Sequence, residues 1–468
     1  MVFNSFIFLV FASIFFGFWP LARKRDKVRW CYILCASFFF YGWWDWRFLF
    51  LITATGILTF YTAQVMERTA SPRAKKLMLA LSVCAPLVPL LVFKYSAFSV
   101  RSVEALLSAA GMDLNLESRL PAWTSLLPVG ISFYTFQALT YTFDVYRKRT
   151  QTTPSLLHFM AYLSMFPQLL AGPIVRAMDL LPQLKTPGSM DENRSYDGFK
   201  LLAIGYFQKM VIADNLAPFV NNAFGASAPL ADTCHWWTIM MAFAFQIYFD
   251  FAGYTNIARG LATWMGYDFP ENFRHPYLSR SIREFWTRWH MTLSFWFRDY
   301  VYIPLGGSRK GEARGHCNLW ATMLLCGLWH GAAVNFILWG AAHALFISLE
   351  RLTKWPEKIK AIKGGVLLAW LAVLVQTWTA WVFFRAKTFE QAVSILKAMF
   401  CFTGDFHFGL GIAGNLFLGM AVLWEIGYLL KSKAAFSIKG LEPYGLACLV
   451  AASIYLRGPG ENFVYFQF

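Results

Sequence analysis

The sequence predicts an all-α, polytopic integral membrane protein, and three observations predict it. Of 468 residues, 57% are hydrophobic and 15% charged, more apolar surface than a water-soluble globule can hide. The apolar residues fall in long runs, many near the ~20 residues that a helix needs to cross a bilayer. Lys and Arg, which give a formal charge of +16, cluster in short connectors between those runs, as the positive-inside rule expects of cytoplasmic loops. That clustering also removes nucleic-acid binding, which so basic a chain would otherwise suggest. Aromatic residues make up 19%, with 20 Trp and 47 Phe, more than interfacial belts require, so many rings must line helix packing or an interior cavity.

Residues 2–20 form the first apolar run, with no Lys or Arg before it and Arg23, Lys24, Arg25, Lys27 and Arg29 after it. A cleaved signal peptide carries its charge in front, so a retained span with its N-terminus outside is expected. Residues 30–65 predict two spans around the aromatic corner at 41–47, returning to a basic connector at Arg68, Arg73, Lys75 and Lys76. Residues 77–97 cross outward, and the run 126–146 crosses back to Arg147, Lys148 and Arg149. Within 156–175, Pro167, Gly172 and Pro173 interrupt a stretch too short to cross as an unbroken helix, which predicts a re-entrant, cavity-lining segment. The polar stretch 185–198 reads as a cytoplasmic loop.

A span over about 199–218 carries Lys209 and Asp214, and the next carries Asp250, Tyr254, Asn256 and Arg259. At about 100° per residue, Asp250 and Tyr254 share a helical face. They either hydrogen-bond toward an interior site or hold helices together as a buried polar pair. Spans at 366–385, 411–430 and 441–456 close the chain, for about eleven spans plus re-entrant or interfacial pieces, with the C-terminus outside. The eight cysteines show no paired metal-ligand spacing; Cys31 and Cys35, one turn apart, are expected to be small buried hydrophobes.

The stretch 283–343 is the expected reaction centre. It sets His290, His330, Arg288, Arg298, Asp299 and Asn335 among Trp and Phe, where an ionisable group costs free energy unless it has a partner or a task. A metal site is not expected, because His330 and His343 lie about 220° apart on one continuous helix and no His-x-x-x-His pattern occurs. Nor is there a Gly-x-Ser-x-Gly elbow for a serine nucleophile. Arg274, Arg280 and Arg283, with Arg309, Lys310 and Arg314, form a cytoplasmic basic surface that suits either a phosphate-bearing donor or a plain positive-inside loop.

Six motifs in order, G-I-S-F-Y-T-F-Q at 130–137, F-P-Q-L-L-A-G-P-I at 166–174, Q-I-Y-F-D-F-A-G-Y at 246–254, F-W-T-R-W-H-M-T-L-S at 285–294, Y-I-P-L-G-G at 302–307 and G-L-W-H-G-A at 327–332, carry a resemblance. The chain resembles the membrane-bound O-acyltransferase family, in its bacterial branch of alginate and peptidoglycan O-acetyltransferases and teichoic-acid D-alanyl transfer proteins. The resemblance implies a single transmembrane domain over 1–468, with its catalytic core at about 126–350. It implies a ring of tilted helices around a central tunnel, in which the histidine of W-H-G, His330 here, is reached from both sides of the membrane. His290 corresponds to the family's second histidine. Asn256 departs from the pattern, since relatives often carry Asp there. Also implied are a bacterial inner-membrane location in the lipid bilayer, an acyl thioester donor such as acetyl-CoA, no covalently bound cofactor, a glycan polymer acceptor, and a periplasmic or extracellular acetyltransferase partner.

Moving an acyl group from a thioester to an alcohol needs a base for the hydroxyl proton and a donor for the tetrahedral oxyanion. Histidine, with an unperturbed pKa of about 6.5, accepts and returns a proton near neutral pH. His330 takes that role, and His290 or Asn335 orients substrate or donates to the oxyanion. Asp250, Tyr254, Arg288, Arg298, Asp299 and Trp329 are the substrate- and donor-side candidates. The aromatic tail at 457–468 ends in Phe463, Val464, Tyr465, Phe466, Gln467 and Phe468; it either anchors the terminus in the interface or presents the Tyr465 hydroxyl as an acyl relay. The reading from a different class is a transporter of a lipid-linked or anionic solute, but two related halves with matching interrupted helices are not apparent.

Overall fold

The computed structural model describes residues 1–226, 232–402, 404, 409–433, 440–461 and 463–464, and among these every regular element is helical. The chain divides into two compact units, Met1–Phe199 with Ile257–Pro270, and Lys200–Asn256 with Glu271–Phe468.

The first unit holds α1 Phe6–Ala22, α2 Asp26–Asp45, α3 Phe48–Arg68, α4 Pro72–Ala109, α5 Ile131–Tyr146, α6 Leu156–Leu163, α7 Phe166–Leu169 and α8 Ala177–Lys185. Ser5 starts α1 by accepting the Phe8 N–H at 3.2 Å, one of the donors a first turn leaves unpaired. Phe8, Phe11, Phe15, Trp19 and Ala22 recur at helical spacing and are buried, while Phe6, Leu9, Ile14 and Phe18 are exposed. A helix apolar on every side suits lipid rather than water. Phe11 and Phe15 bear on Phe166 with ring centroids 5.2 and 5.1 Å away, so α7 lies beneath α1.

The proline- and glycine-interrupted stretch folds as α6, α7 and irregular backbone to 176. Its polar groups are met from within the protein: Ser37 Oγ accepts the Phe166 N–H at 3.0 Å, Gln168 Nε2 donates to Tyr162 O at 2.7 Å, and the Tyr162 hydroxyl donates to Val175 O at 3.2 Å. This is what allows non-helical backbone in an apolar setting. Arg29, expected in a loop, is buried and closes the C-terminus of α8, donating to Leu184 O at 3.0 Å and Lys185 O at 2.7 Å. A cation suits the orphan carbonyls and negative end of a helix.

The helices α9 Glu192–Tyr206 and α11 Thr233–Met265 carry residues of both units. The second unit continues from α9 through a π-helical turn, Phe207–Ala213, into α10 Asp214–Gly225. It then contains α12 Ile282–Trp286, α13 Met291–Phe297, a second π turn Arg298–Tyr302, α14 Glu312–His330, α15 Val334–Thr353, α16 Trp355–Lys360, α17 Gly365–Arg385, α18 Phe389–Phe400, α19 Gly411–Lys433 and α20 Glu442–Tyr455.

Four helices among the described residues are long and apolar enough to cross a membrane: Phe48–Arg68, Pro72–Ala109, Gly365–Arg385 and Gly411–Leu430; Phe6–Ala22 is apolar but shorter. Fewer meet that standard than the eleven expected, because several apolar runs fold as shorter pieces. The run 126–146 yields the 16-residue α5, and 199–218 is divided among α9, the π turn and α10. The expected loop at 185–198 is helical from Glu192. Cys31 and Cys35 are exposed rather than buried, since the inward face of α2 is taken by Arg29, Trp30, Ile33, Ser37, Phe40 and Tyr41.

Candidate active site

The site lies in the second unit, where α14 and α15 form a hairpin that glycine brings together. A Cβ on Gly327 would overlap the Phe336 carbonyl, and one on Gly340 would overlap that of Met323, so the two backbones are in direct contact at both levels. His330 is the last residue of α14. The expectation of one continuous helix from His330 to His343 is corrected: Gly331, at φ −166 and ψ 154, and Ala333, at φ −149 and ψ 153, are extended and break it. His343 therefore starts from a separate helix, and both histidines meet the same indole, Trp339, at 4.8 Å from each ring.

The His330 ring is 4% exposed, walled edge-on by Trp329 at 4.7 Å, Trp339 at 4.8 Å and Phe384 at 5.1 Å. His343 is fully buried, and neither of its ring nitrogens has a hydrogen-bond partner among the described residues.

His290 also bears on Trp329, the neighbour of His330, with ring centroids 6.1 Å apart. It precedes α13 in the left-handed region at φ 38, which a side chain of this size rarely adopts. Its Nδ1 lies 3.0 Å from Asn272 Oδ1, which also accepts the Thr292 N–H at 3.2 Å. Because a backbone N–H only donates, that Asn atom is the amide oxygen, and Nδ1 must carry the proton. The lone pair is then on Nε2, the arrangement of a ring prepared to accept a proton there. Edge-on contact with Phe251 at 4.6 Å fixes the ring plane.

The remaining predicted residues take varied positions. Asn335, in the first turn of α15, donates its amide to Ala386 O at 2.9 Å and ties that turn to the end of α17. Arg288 pairs with Glu284 at 2.8 Å, one turn back. Arg298 and Asp299, neighbours on the second π turn, pair with each other at 2.7 Å. The expected basic surface is partly neutralised from within, Arg274 by Glu271 at 2.8 Å and Arg283 by the buried Glu350 at 2.6 Å.

Asp250 and Tyr254 both belong to a cluster near the first π turn. Lys209 Nζ lies 2.6 Å from Asp250 and 2.7 Å from Asp214, and Gly253 lets α11 approach the π turn so closely that a Cβ there would stand 2.8 Å from Lys209 N. Phe463 lies over Tyr254 with ring centroids 4.9 Å apart. Tyr465 lies outside the described residues.

Sequence reasoning missed Asn272, Trp339, Phe384 and the pairing of Lys209 with both carboxylates. Lys209 and Asp214 in one apolar run were a usable signal, since buried charge demands a partner. Nothing in the sequence marked Asn272 or Phe384.

The model of the membrane-bound O-acyltransferase family matches residues 38–355, a span that takes in His290 and His330. Over 412 residues the chain is 38% identical to the probable alginate O-acetylase AlgI of Pseudomonas putida, covering 87% of this chain and 81% of that one. It is 33% identical over 434 residues to the peptidoglycan O-acetyltransferase of Helicobacter pylori, covering 85% and 80%. A more distant similarity, 28% over 260 residues, joins it to the teichoic acid D-alanyltransferase of Bacillus subtilis, covering 53% and 65%.

Proposed function

Since the chain belongs to the membrane-bound O-acyltransferase family and is an acyltransferase, we propose that it takes acetyl from a cytoplasmic thioester, acetyl-CoA, and passes it outward across a bacterial inner membrane to a polysaccharide or cell-wall glycan. The observation that carries the reading is that the rings of His330 and His290 both bear on Trp329, among further aromatic rings. A water-poor aromatic setting strengthens each electrostatic contact with a developing charge and limits loss of acetyl to hydrolysis.

In this reading His330 is reached from both sides and acts as the base. The acceptor oxygen attacks the thioester carbonyl carbon as its proton passes to the imidazole; the carbon–sulfur bond then breaks, and the same proton leaves on the thiol. His290, held by Asn272, orients the acceptor. Arg288 and Arg298 receive the donor's phosphates. Tyr465 is the acyl relay, taking acetyl on its hydroxyl before a periplasmic partner completes transfer to the polymer. Both chain termini lie outside.

The test incubates the protein, copurified with its periplasmic partner, with radiolabelled acetyl-CoA and, as acceptors, alginate oligosaccharides and muropeptides, the polymers named for the two kinds of relative. Label entering an ester on either acceptor, and absent with His330→Ala at equal protein level, supports the reading. Transfer that survives His330→Ala overturns it.

A further inference from the structure

Near the first π turn, three charged side chains are buried together: those of Lys209, Asp214 and Asp250 are 5%, 1% and 1% exposed. An ammonium has three protons to donate. Lys209 Nζ forms ion pairs with Asp214 Oδ1 at 2.7 Å and Asp250 Oδ1 at 2.6 Å and donates to the main-chain carbonyl of Glu461 at 3.1 Å. Two carboxylates against one ammonium leave an excess of negative charge, which is costly away from water unless donors meet it. The second oxygen of Asp250 is met by the main-chain N–H of Val464 at 2.7 Å.

The cluster is thus completed by the tail, through a carbonyl and an N–H three residues apart. Both are main-chain groups, so this part of the recognition reads backbone rather than side-chain identity. Between them Phe463 seats its ring 4.9 Å from Tyr254 and 5.3 Å from Phe251. Upstream, the Gly458 N–H donates to Met210 O at 2.9 Å, and Asn215 Nδ2 donates to Leu456 O at 2.8 Å. A side chain at 458 would meet the Asp214 main chain at 2.7 Å, so glycine is what lets the tail lie this close. Phe251, which receives Phe463, also stands edge-on to His290 at 4.6 Å.

We infer that Lys209 and Asp250 are positioning residues that form a receptor for the chain's own C-terminal segment, so that the acceptor side of the His290 site is complete only while Leu456, Gly458, Glu461, Phe463 and Val464 hold their contacts. Docking fixes the Phe251 ring that bears on His290 and sets the point from which the last residues continue. The inference rests on the acyl-transfer reading for its consequence, but not for the docking.

Val464→Pro tests it by removing the N–H given to Asp250 while leaving every side chain of the cluster in place; Val464→Leu keeps that N–H. Full chains in detergent are treated with carboxypeptidase, and loss of C-terminal residues is timed by mass spectrometry. Acetyl transfer to the acceptors above and His330-dependent thiol release from acetyl-CoA are measured on the same preparations. Val464→Pro is expected to speed trimming and slow acetyl transfer, each by about tenfold or more, the scale of a misplaced reacting group, with thiol release falling alongside acetyl transfer because the thiol leaves only as an acceptor oxygen takes the acetyl. Val464→Leu matches the unsubstituted chain throughout. Asp250→Ala, which deletes the acceptor of the Val464 N–H, gives the same pattern, and adding Val464→Pro to it adds little, because both remove that contact.

An equally protected tail in Val464→Pro overturns the docking, and lost protection with unchanged acetyl transfer overturns the positioning. If the unsubstituted chain transfers no acetyl, the acyl-transfer reading fails and the positioning claim with it, while unequal trimming rates still uphold the docking.

Discussion

Replacing Lys209 by Met keeps an unbranched apolar stem of similar length and deletes only the charge, leaving Asp214 and Asp250 buried with the ammonium that stood 2.7 and 2.6 Å from them gone. Removing one member of a buried ion pair costs about 3–5 kcal/mol, because the uncompensated charge stays in a medium that solvates it poorly. Here two carboxylates lose the same partner and gain each other as a like-charged neighbour. A loss in the upper half of that range, about 4–5 kcal/mol, multiplies the unfolded population by roughly a thousandfold or more. Equilibrium unfolding of purified protein in mixed micelles at rising SDS, followed by tryptophan fluorescence, measures it. The triple variant Lys209→Met, Asp214→Asn, Asp250→Asn carries no charge in the cluster and should regain more than half of the loss, since it removes the desolvation cost along with the attraction. Two results would refute the reasoning: a loss below about 1 kcal/mol for Lys209→Met, as for an exposed pair, or a triple variant no more stable than the single one.

Gly327→Ala places a methyl on the Phe336 carbonyl and forces α14 from α15 one turn before His330; overpacking of this kind costs about 1–3 kcal/mol, and a shift of about 1 Å at a reacting group costs about a hundredfold in rate, so acetyl transfer should fall far more than the melting temperature suggests. Asn272→Ala removes the acceptor that fixes the His290 tautomer and should lower acetyl transfer by about a hundredfold, whereas Thr292→Val, which removes one of the other donors to the same oxygen, should leave it nearly unchanged. Glu350→Ala strips the Ile282 N–H and the Arg283 guanidinium of their acceptor, at 2.7 and 2.6 Å, and should lower stability by about 2 kcal/mol in the same SDS titration.

Much of the helical order was legible before any coordinates. The stripe of α1, the corner between α2 and α3, and the proline- and glycine-broken segment at 156–175 follow from period, length and the missing N–H of proline. The W-H-G motif at His330 was legible too, as a tryptophan-flanked histidine in an apolar run. Hydrophobicity shows that a run avoids water, not whether it folds as one rod or several short pieces, so the boundaries of runs such as 199–218 were not legible. Asp250 illustrates another limit: its charge announced that a partner had to exist, yet nothing local named Lys209, some 40 positions away.

The sequence by itself determined that this chain is helical, apolar enough for a membrane, and carries a tryptophan-flanked histidine, because those properties depend on neighbours within about one helical turn. Only the tertiary structure decided that extended backbone after Gly331 divides His330 from His343, that Asn272 chooses the proton of His290, and that the tail closes the charge cluster at Lys209. Each of these joins separate segments, and which buried polar groups meet across such a distance is set by how the helices pack, a property of the whole chain that no short stretch of it contains.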